Sequence, residues 1–126
     1  MKRLIVLDLD GTLAESESAS DAEMGTLLTA LLGAVSVAII SGGDLPQFKE
    51  QILAHLPPEA DLTKLSLLPT CGTRFFRYRG RWHQLYAEDL SDTQKHKIID
   101  ALKTAVQTAG FEAVKTWGDV IEDRES

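Results

Sequence analysis

An α/β fold built on a parallel sheet with helices on both faces is predicted by two apolar runs and the helix-length segment between them. Leu4-Ile5-Val6-Leu7 leads into Asp8-Leu9-Asp10-Gly11-Thr12-Leu13, and Val35 to Ile40 leads into Ser41-Gly42-Gly43-Asp44. Continuous apolar runs of this length suit strands buried on both faces. Strand–helix–strand alternation implies parallel strands joined by crossover helices. Ligands of such sheets bind outside the carboxyl ends of the strands, where both polar stretches fall.

The elements follow in order. After the first strand, Ser20 to Leu32 reads as a helix, with Ser20 and Glu23 as a capping box, Met24, Leu27, Leu28, Leu31 and Leu32 as its apolar face and Gly33 as its stop. The second strand is Val35 to Ile40. Asp44 caps a second helix with Pro46 in its first turn and Phe48, Ile52 and Leu53 facing the core, ended by Pro57-Pro58. Leu65-Ser66-Leu67-Leu68 reads as a third strand ending at Thr70-Cys71-Gly72. Arg74 to Tyr78 and Arg81 to Tyr86 flank Arg79-Gly80 as a β-hairpin. Ser91 to Ala109 is a helix with Ser91 and Gln94 as a capping box, Gly110 as its stop and Ile98, Ile99, Leu102, Ala105 and Val106 as its apolar face.

Composition narrows the function classes. At 126 residues the chain is one domain, or one domain and part of another. Nineteen acids against thirteen Lys and Arg give a net charge of −6, which argues against a general nucleic-acid binder. The interleaved basic and aromatic residues of the hairpin fit alternation on a half-buried ribbon better than a single-strand binding platform. One cysteine, Cys71, cannot form an internal disulfide, and this points to a reducing, cytoplasmic compartment. Cys71 itself reads as a small, partly buried residue rather than a reactive thiol. Only four apolar residues precede Asp8, too few for a signal-peptide core, and no run reaches the length of a membrane span. His55, His83 and His96 lack metal-ligand spacing and read as surface or boundary residues.

Asp8 and Asp10 carry the chemistry. A bare Asp-x-Asp is ordinarily a solvated turn. At the end of a buried strand, two carboxylates on one side are costly without a role. Paired acids there can hold Mg²⁺, which prefers hard oxygen ligands, and one can attack phosphorus to form an aspartyl-phosphate. The attacking carboxylate must be ionised, whereas the other must carry a proton to the leaving oxygen. Gly11 permits the turn, and Thr12 offers a hydroxyl and a backbone N–H. At the second strand end, the Ser41 hydroxyl and the Gly42 and Gly43 amides suit a phosphate group.

Asp8-Leu9-Asp10-Gly11-Thr12 after an apolar strand resembles the first motif of the haloacid dehalogenase superfamily, and Ile40-Ser41-Gly42 resembles its second. The resemblance implies a Rossmann-like core with Asp8 as nucleophile, Asp10 as general acid/base, Mg²⁺ on the Asp8 carboxylate and the Asp10 carbonyl, and Thr12, Ser41, Gly42 and Gly43 around the phosphoryl group. Ile40-Ser41-Gly42-Gly43-Asp44, then Phe48-Lys49-Glu50-Gln51, then Pro69-Thr70-Cys71-Gly72 and a hairpin, look like the phosphomannomutase-like, sugar-phosphatase-like branch. That branch inserts a C2-type cap after the third strand and usually has Asn where this chain has Cys71. The resemblance implies phosphoryl transfer from a sugar phosphate, by a phosphatase or a phosphomutase.

Two readings compete for Gly118-Asp119-Val120-Ile121-Glu122-Asp123. It formally fits the superfamily's last, metal-holding motif, with Lys115 as the phosphate-binding lysine. Gly-x-x-Ile-Glu-x-Arg also resembles the first cap strand of the branch, which is the favoured reading and would place Arg124 against substrate. Residues 1–86 are then a partial core and 87–126 the start of a cap. On that reading the chain resembles only the front half of a member and lacks the catalytic lysine and last acidic motif. A catalytically incomplete or purely phosphate-binding module is the alternative expectation. An open apolar edge along Leu4 to Leu7 would then favour a homodimer that covers it.

Overall fold

Five strands form one sheet in the order of the sequence, and the first three are parallel. They are β1 (Leu4–Asp8), β2 (Ser36–Ile40), β3 (Leu65–Leu68), β4 (Arg74–Tyr78) and β5 (Trp82–Ala87). β4 runs antiparallel to β3, and β5 antiparallel to β4 across the Arg79-Gly80 turn. The computed structural model describes residues 3–15, 18–110 and 115–123. The chain divides into two units, Met1–Glu88 and Asp89–Ser126.

In the first unit, α1 (Ala22–Ala34) joins β1 to β2, and α2 (Leu45–Gln51) lies between β2 and β3. Each crossover steps to the neighbouring strand on the same side. Right-handed connections therefore put both helices on one face; the sequence pattern predicts helices on both faces. Register explains which residues that face holds. Ile5 pairs with Val37 and Leu7 with Ile39, Val37 pairs with Leu65 and Ile39 with Leu67, and Leu67 pairs with Phe76. Alternation brings these side chains to one side. There Leu7, Val37, Ile39, Leu65, Leu67 and Phe76 pack with Leu28 and Leu32 of α1, with Phe48 of α2 and with its C-cap Ile52. Phe48, Leu32, Ile39, Ile52, Leu65 and Leu67 are fully buried. At roughly 1.5–3 kcal/mol for each large apolar side chain removed from water, this layer is the main stabilising term of the unit.

Several local expectations shift by a residue or more. The N-cap of α1 is Asp21, whose Oδ1 accepts from the Met24 N–H at 2.7 Å. Ser20 is instead buried, its N–H donating to the Gln51 carbonyl at 2.8 Å. Aspartate and serine cap equally well, so tertiary packing decides between neighbours. Gly33 lies inside the helix, which runs on to Ala34. Asp44 caps α2 as expected, accepting from the Gln47 N–H at 3.1 Å.

The second unit holds α3 (Asp92–Thr108), whose Ser91/Gln94 capping box is formed. Gly110 follows with φ +63°, the left-handed stop that glycine suits. Its apolar stripe is not sequestered: Ile98 is 45% and Leu102 47% exposed. The proposed cap strand over Gly118 to Asp123 is absent, since residues 115–123 form bends and coil. Instead the Lys115 ammonium lies 3.8 Å over the Trp117 ring, and Asp123 pairs with Lys95 at 3.0 Å.

Candidate active site

The three parallel strands end level with one another, Asp8 beside Ile40 and Ile40 beside Leu68. Their carboxyl ends bring Asp8, Asp10, Ser41 and the Thr70–Gly72 turn to one rim. Asp8 falls on the strand parity of Leu4 and Val6 and is exposed. Beyond it the chain turns tightly around one carbonyl. Leu9 O accepts from the N–H groups of Thr12, Leu13 and Ala14 at 3.3, 3.0 and 3.2 Å. Leu9 and Leu13 anchor this turn in the core. Gly11, at φ +76°, donates its N–H to Ala14 O at 2.7 Å, a left-handed conformation that glycine adopts without steric penalty.

The turn carries Asp10 toward the second strand end. Ser41 Oγ, nearly buried, donates to Asp10 Oδ2 at 3.2 Å across 31 residues of sequence. The same oxygen accepts from the Gly43 N–H at 3.1 Å. Thr12 Oγ1 donates to Asp8 Oδ2 at 3.3 Å. Each carboxylate of the pair therefore has its own hydroxyl partner. The Gly43 amide, expected to face phosphate, is occupied by Ser41, and the Thr12 amide by Leu9. The Thr12 and Ser41 hydroxyls can each rotate to another partner.

The third strand end holds the loop. Ser41 N–H donates to Leu68 O at 3.3 Å, Cys71 N–H to Ser41 O at 2.9 Å, and Thr70 N–H to Gly43 O at 2.8 Å. Thr70 and Cys71 take left-handed conformations, φ +49° and +55°. Such residues cost on the order of 1–3 kcal/mol each and persist where their surroundings over-determine them, often beside functional loops. Cys71 is exposed, which corrects the expectation of a partly buried side chain; the left-handed turn directs it outward beside Gly42. A Cβ on Gly42 would lie 3.7 Å from Cys71 Sγ. The strained pair escaped sequence reasoning, since threonine and cysteine carry no left-handed signal. Asn, usual at the Cys71 position in the branch the chain resembles, tolerates this conformation.

The donor set suits Mg²⁺. That ion is commonly held by one or two carboxylates, with waters and substrate phosphate completing its shell. Asp8 and Asp10 supply hard oxygens at one rim. Among the described residues no group of three or more His, Cys, Asp and Glu side chains could hold a metal ion, as a dedicated protein cage would need. Arg124, expected to contact substrate, lies outside the described residues. Among the described residues no helix is long and apolar enough to cross a membrane.

No family model matches the chain. A phosphomannomutase from Encephalitozoon cuniculi is 37% identical over 51 residues, 40% of this chain and 20% of that protein. Solved structures match over most of the chain. A haloacid dehalogenase-like hydrolase from Bacteroides thetaiotaomicron superposes with a TM-score of 0.57 at 21% identity, covering 87% of this chain and 39% of that one. One from B. subtilis gives 0.62 at 20% identity, covering 82% and 34%. A Plasmodium falciparum IMP-nucleotidase gives 0.62 at 13% identity, covering 86% and 35%. The chain thus spans about a fifth of the curated relative and little over a third of these structures. Its fold is that of the haloacid dehalogenase-like hydrolases.

Proposed function

We propose that this chain carries the phosphoryl-transfer site of a Mg²⁺-dependent phosphatase or phosphomutase acting on a sugar phosphate or similar phosphomonoester. The observation that carries this reading is the 3.2 Å hydrogen bond from Ser41 Oγ to Asp10 Oδ2. It joins the ends of β1 and β2 and sets one acid against the phosphate-binding hydroxyl. Asp8, exposed at the rim, is the nucleophile. Its carboxylate oxygen forms a bond to phosphorus as the bond to the leaving oxygen breaks, giving an aspartyl-phosphate. Asp10 donates its carboxyl proton to that oxygen. The Ser41 hydroxyl turns from Asp10 to a phosphoryl oxygen when substrate is seated. Asp10 then takes the proton of the second nucleophile, water in a phosphatase or a sugar hydroxyl in a mutase, as that oxygen displaces Asp8. The Thr12 hydroxyl orients Asp8. Mg²⁺ bound by the Asp8 carboxylate and the Asp10 carbonyl would neutralise phosphoryl charge.

We place this chemistry on residues 1–86 as core, with 87–126 as the start of a cap that would carry Arg124 to substrate, in the cytoplasm. A second reading is a phosphate-binding module that turns nothing over. It is favoured by the absence, among the described residues, of any third acidic ligand near the pair. The test is hydrolysis of an aryl phosphate with Mg²⁺. Slow turnover that Asp8→Asn reduces to background supports the enzyme; phosphate binding with no turnover supports the module.

A further inference from the structure

A groove of about 420 Å³ opens beside the Asp8 turn, lined in part by Gly11, Thr12, Glu15, Ser18, Ala19 and Asp21. Its size falls in the range of small-molecule sites. Thr12 belongs to both places: it lines the groove, and its hydroxyl donates to Asp8 Oδ2 at 3.3 Å. A molecule seated here therefore has one end next to the nucleophile. We propose that this groove receives the leaving group of the phosphomonoester, and that it selects a hydroxyl-rich group without a second anion. This inference rests on the phosphoryl-transfer reading and adds the specificity subsite to it.

The chemistry of the walls sets the class of ligand. Glu15 and Asp21 are carboxylates, Ser18 and Thr12 are hydroxyls, and among the described residues no Lys or Arg lines the groove. Carboxylates only accept hydrogen bonds and hydroxyls both donate and accept, so sugar hydroxyls find partners throughout. A second phosphate or a carboxylate would meet Glu15 and Asp21 with like charge and, among the described lining residues, no basic counterion. Asp21 Oδ1 already accepts from the Met24 N–H, which fixes that wall to the start of α1. Glu15 is exposed and free of that duty, so it is the specificity-determining residue. Phosphate itself is left to the Ser41 hydroxyl at the end of β2, which does not line this groove.

The test uses hydrolysis-resistant probes and amide NMR shifts on the whole chain with Mg²⁺ present. The probes are methylphosphonate, a hexose 6-phosphonate, and the same hexose phosphonate carrying a second phosphonate at carbon 1. Both monophosphonates should shift the Ser41, Gly42 and Gly43 amides. Only the hexose compound should also shift Glu15, Ser18 and Ala19, and it should bind several-fold tighter than its bisphosphonate. Glu15→Lys should reverse that preference. If the hexose probe shifts Ser41 to Gly43 but leaves Glu15, Ser18 and Ala19 unmoved, the groove is not the leaving-group site. Equal affinity for mono- and bisphosphonate in both proteins would overturn the charge argument. If no probe shifts Ser41 to Gly43, the phosphoryl-transfer reading fails as well.

Discussion

Ser41 bridges two groups, donating to Asp10 Oδ2 and accepting from the Gly43 N–H. Ser41→Ala leaves the Gly43 N–H and Asp10 Oδ2 without this hydroxyl, so a loss of about 1–3 kcal/mol is expected in denaturant unfolding. Ser41→Cys, which keeps a weak donor and acceptor, should lose less. Asp61 makes a pH prediction. Hydrogen bonding from the Thr63 side chain is the largest influence holding its carboxyl below the ordinary value of 3.8. A depressed folded-state value means stability present above the unfolded value and lost as pH falls through the folded one. Asp61→Asn should therefore lower the neutral plateau toward the acid end and so flatten the acid limb of the stability curve. An unchanged acid limb would show that Asp61 contributes nothing. The sequence made Asp8, Asp10 and Ser41 legible because their types and spacing carry chemistry. It left the Ser41–Asp10 bond and the Thr70–Cys71 strain hidden, because both depend on which strand end lies beside which.

Close approach of backbone explains one element contact that composition could not reveal. A Cβ on Gly25 of α1 would stand 2.5 Å from the His55 carbonyl oxygen. Gly25→Ala gains helix propensity but forces the helix and the 52–56 turn apart, and overpacking of this kind costs about 1–3 kcal/mol. Thermal melting should show a lower midpoint. A raised midpoint would mean that the turn yields freely. The bounds of β3, of the hairpin and of α3 were readable to within a residue, since apolar runs and caps mark them. The Asp21 cap was not, because Ser20 and Asp21 have equal intrinsic merit and burial chose between them. α3 has the expected caps but leaves Ile98 and Leu102 in solvent, because periodicity reports a face and not what covers it.

Across the whole molecule, the sheet order leaves β1 at an edge, with Leu4 52% and Val6 57% exposed. An apolar edge strand is a template for pairing with another chain. Concentration-dependent self-association is expected by light scattering, and Val6→Lys should abolish it. A monodisperse monomer at every concentration would remove the homodimer from consideration. The α/β class was legible at this scale from alternation alone. The sharing of one face by α1 and α2 followed only once the strand order was known. The most direct measurement of the central claim is chemical trapping on Asp8. The chain is incubated with Mg²⁺ and an acyl phosphate donor, quenched in borohydride, digested and sequenced by mass spectrometry. Reduction converts an aspartyl-phosphate to homoserine, and the account predicts homoserine at position 8 alone. Phosphate release with position 8 still aspartate in every peptide, or with undiminished rate in Asp8→Asn, would contradict it.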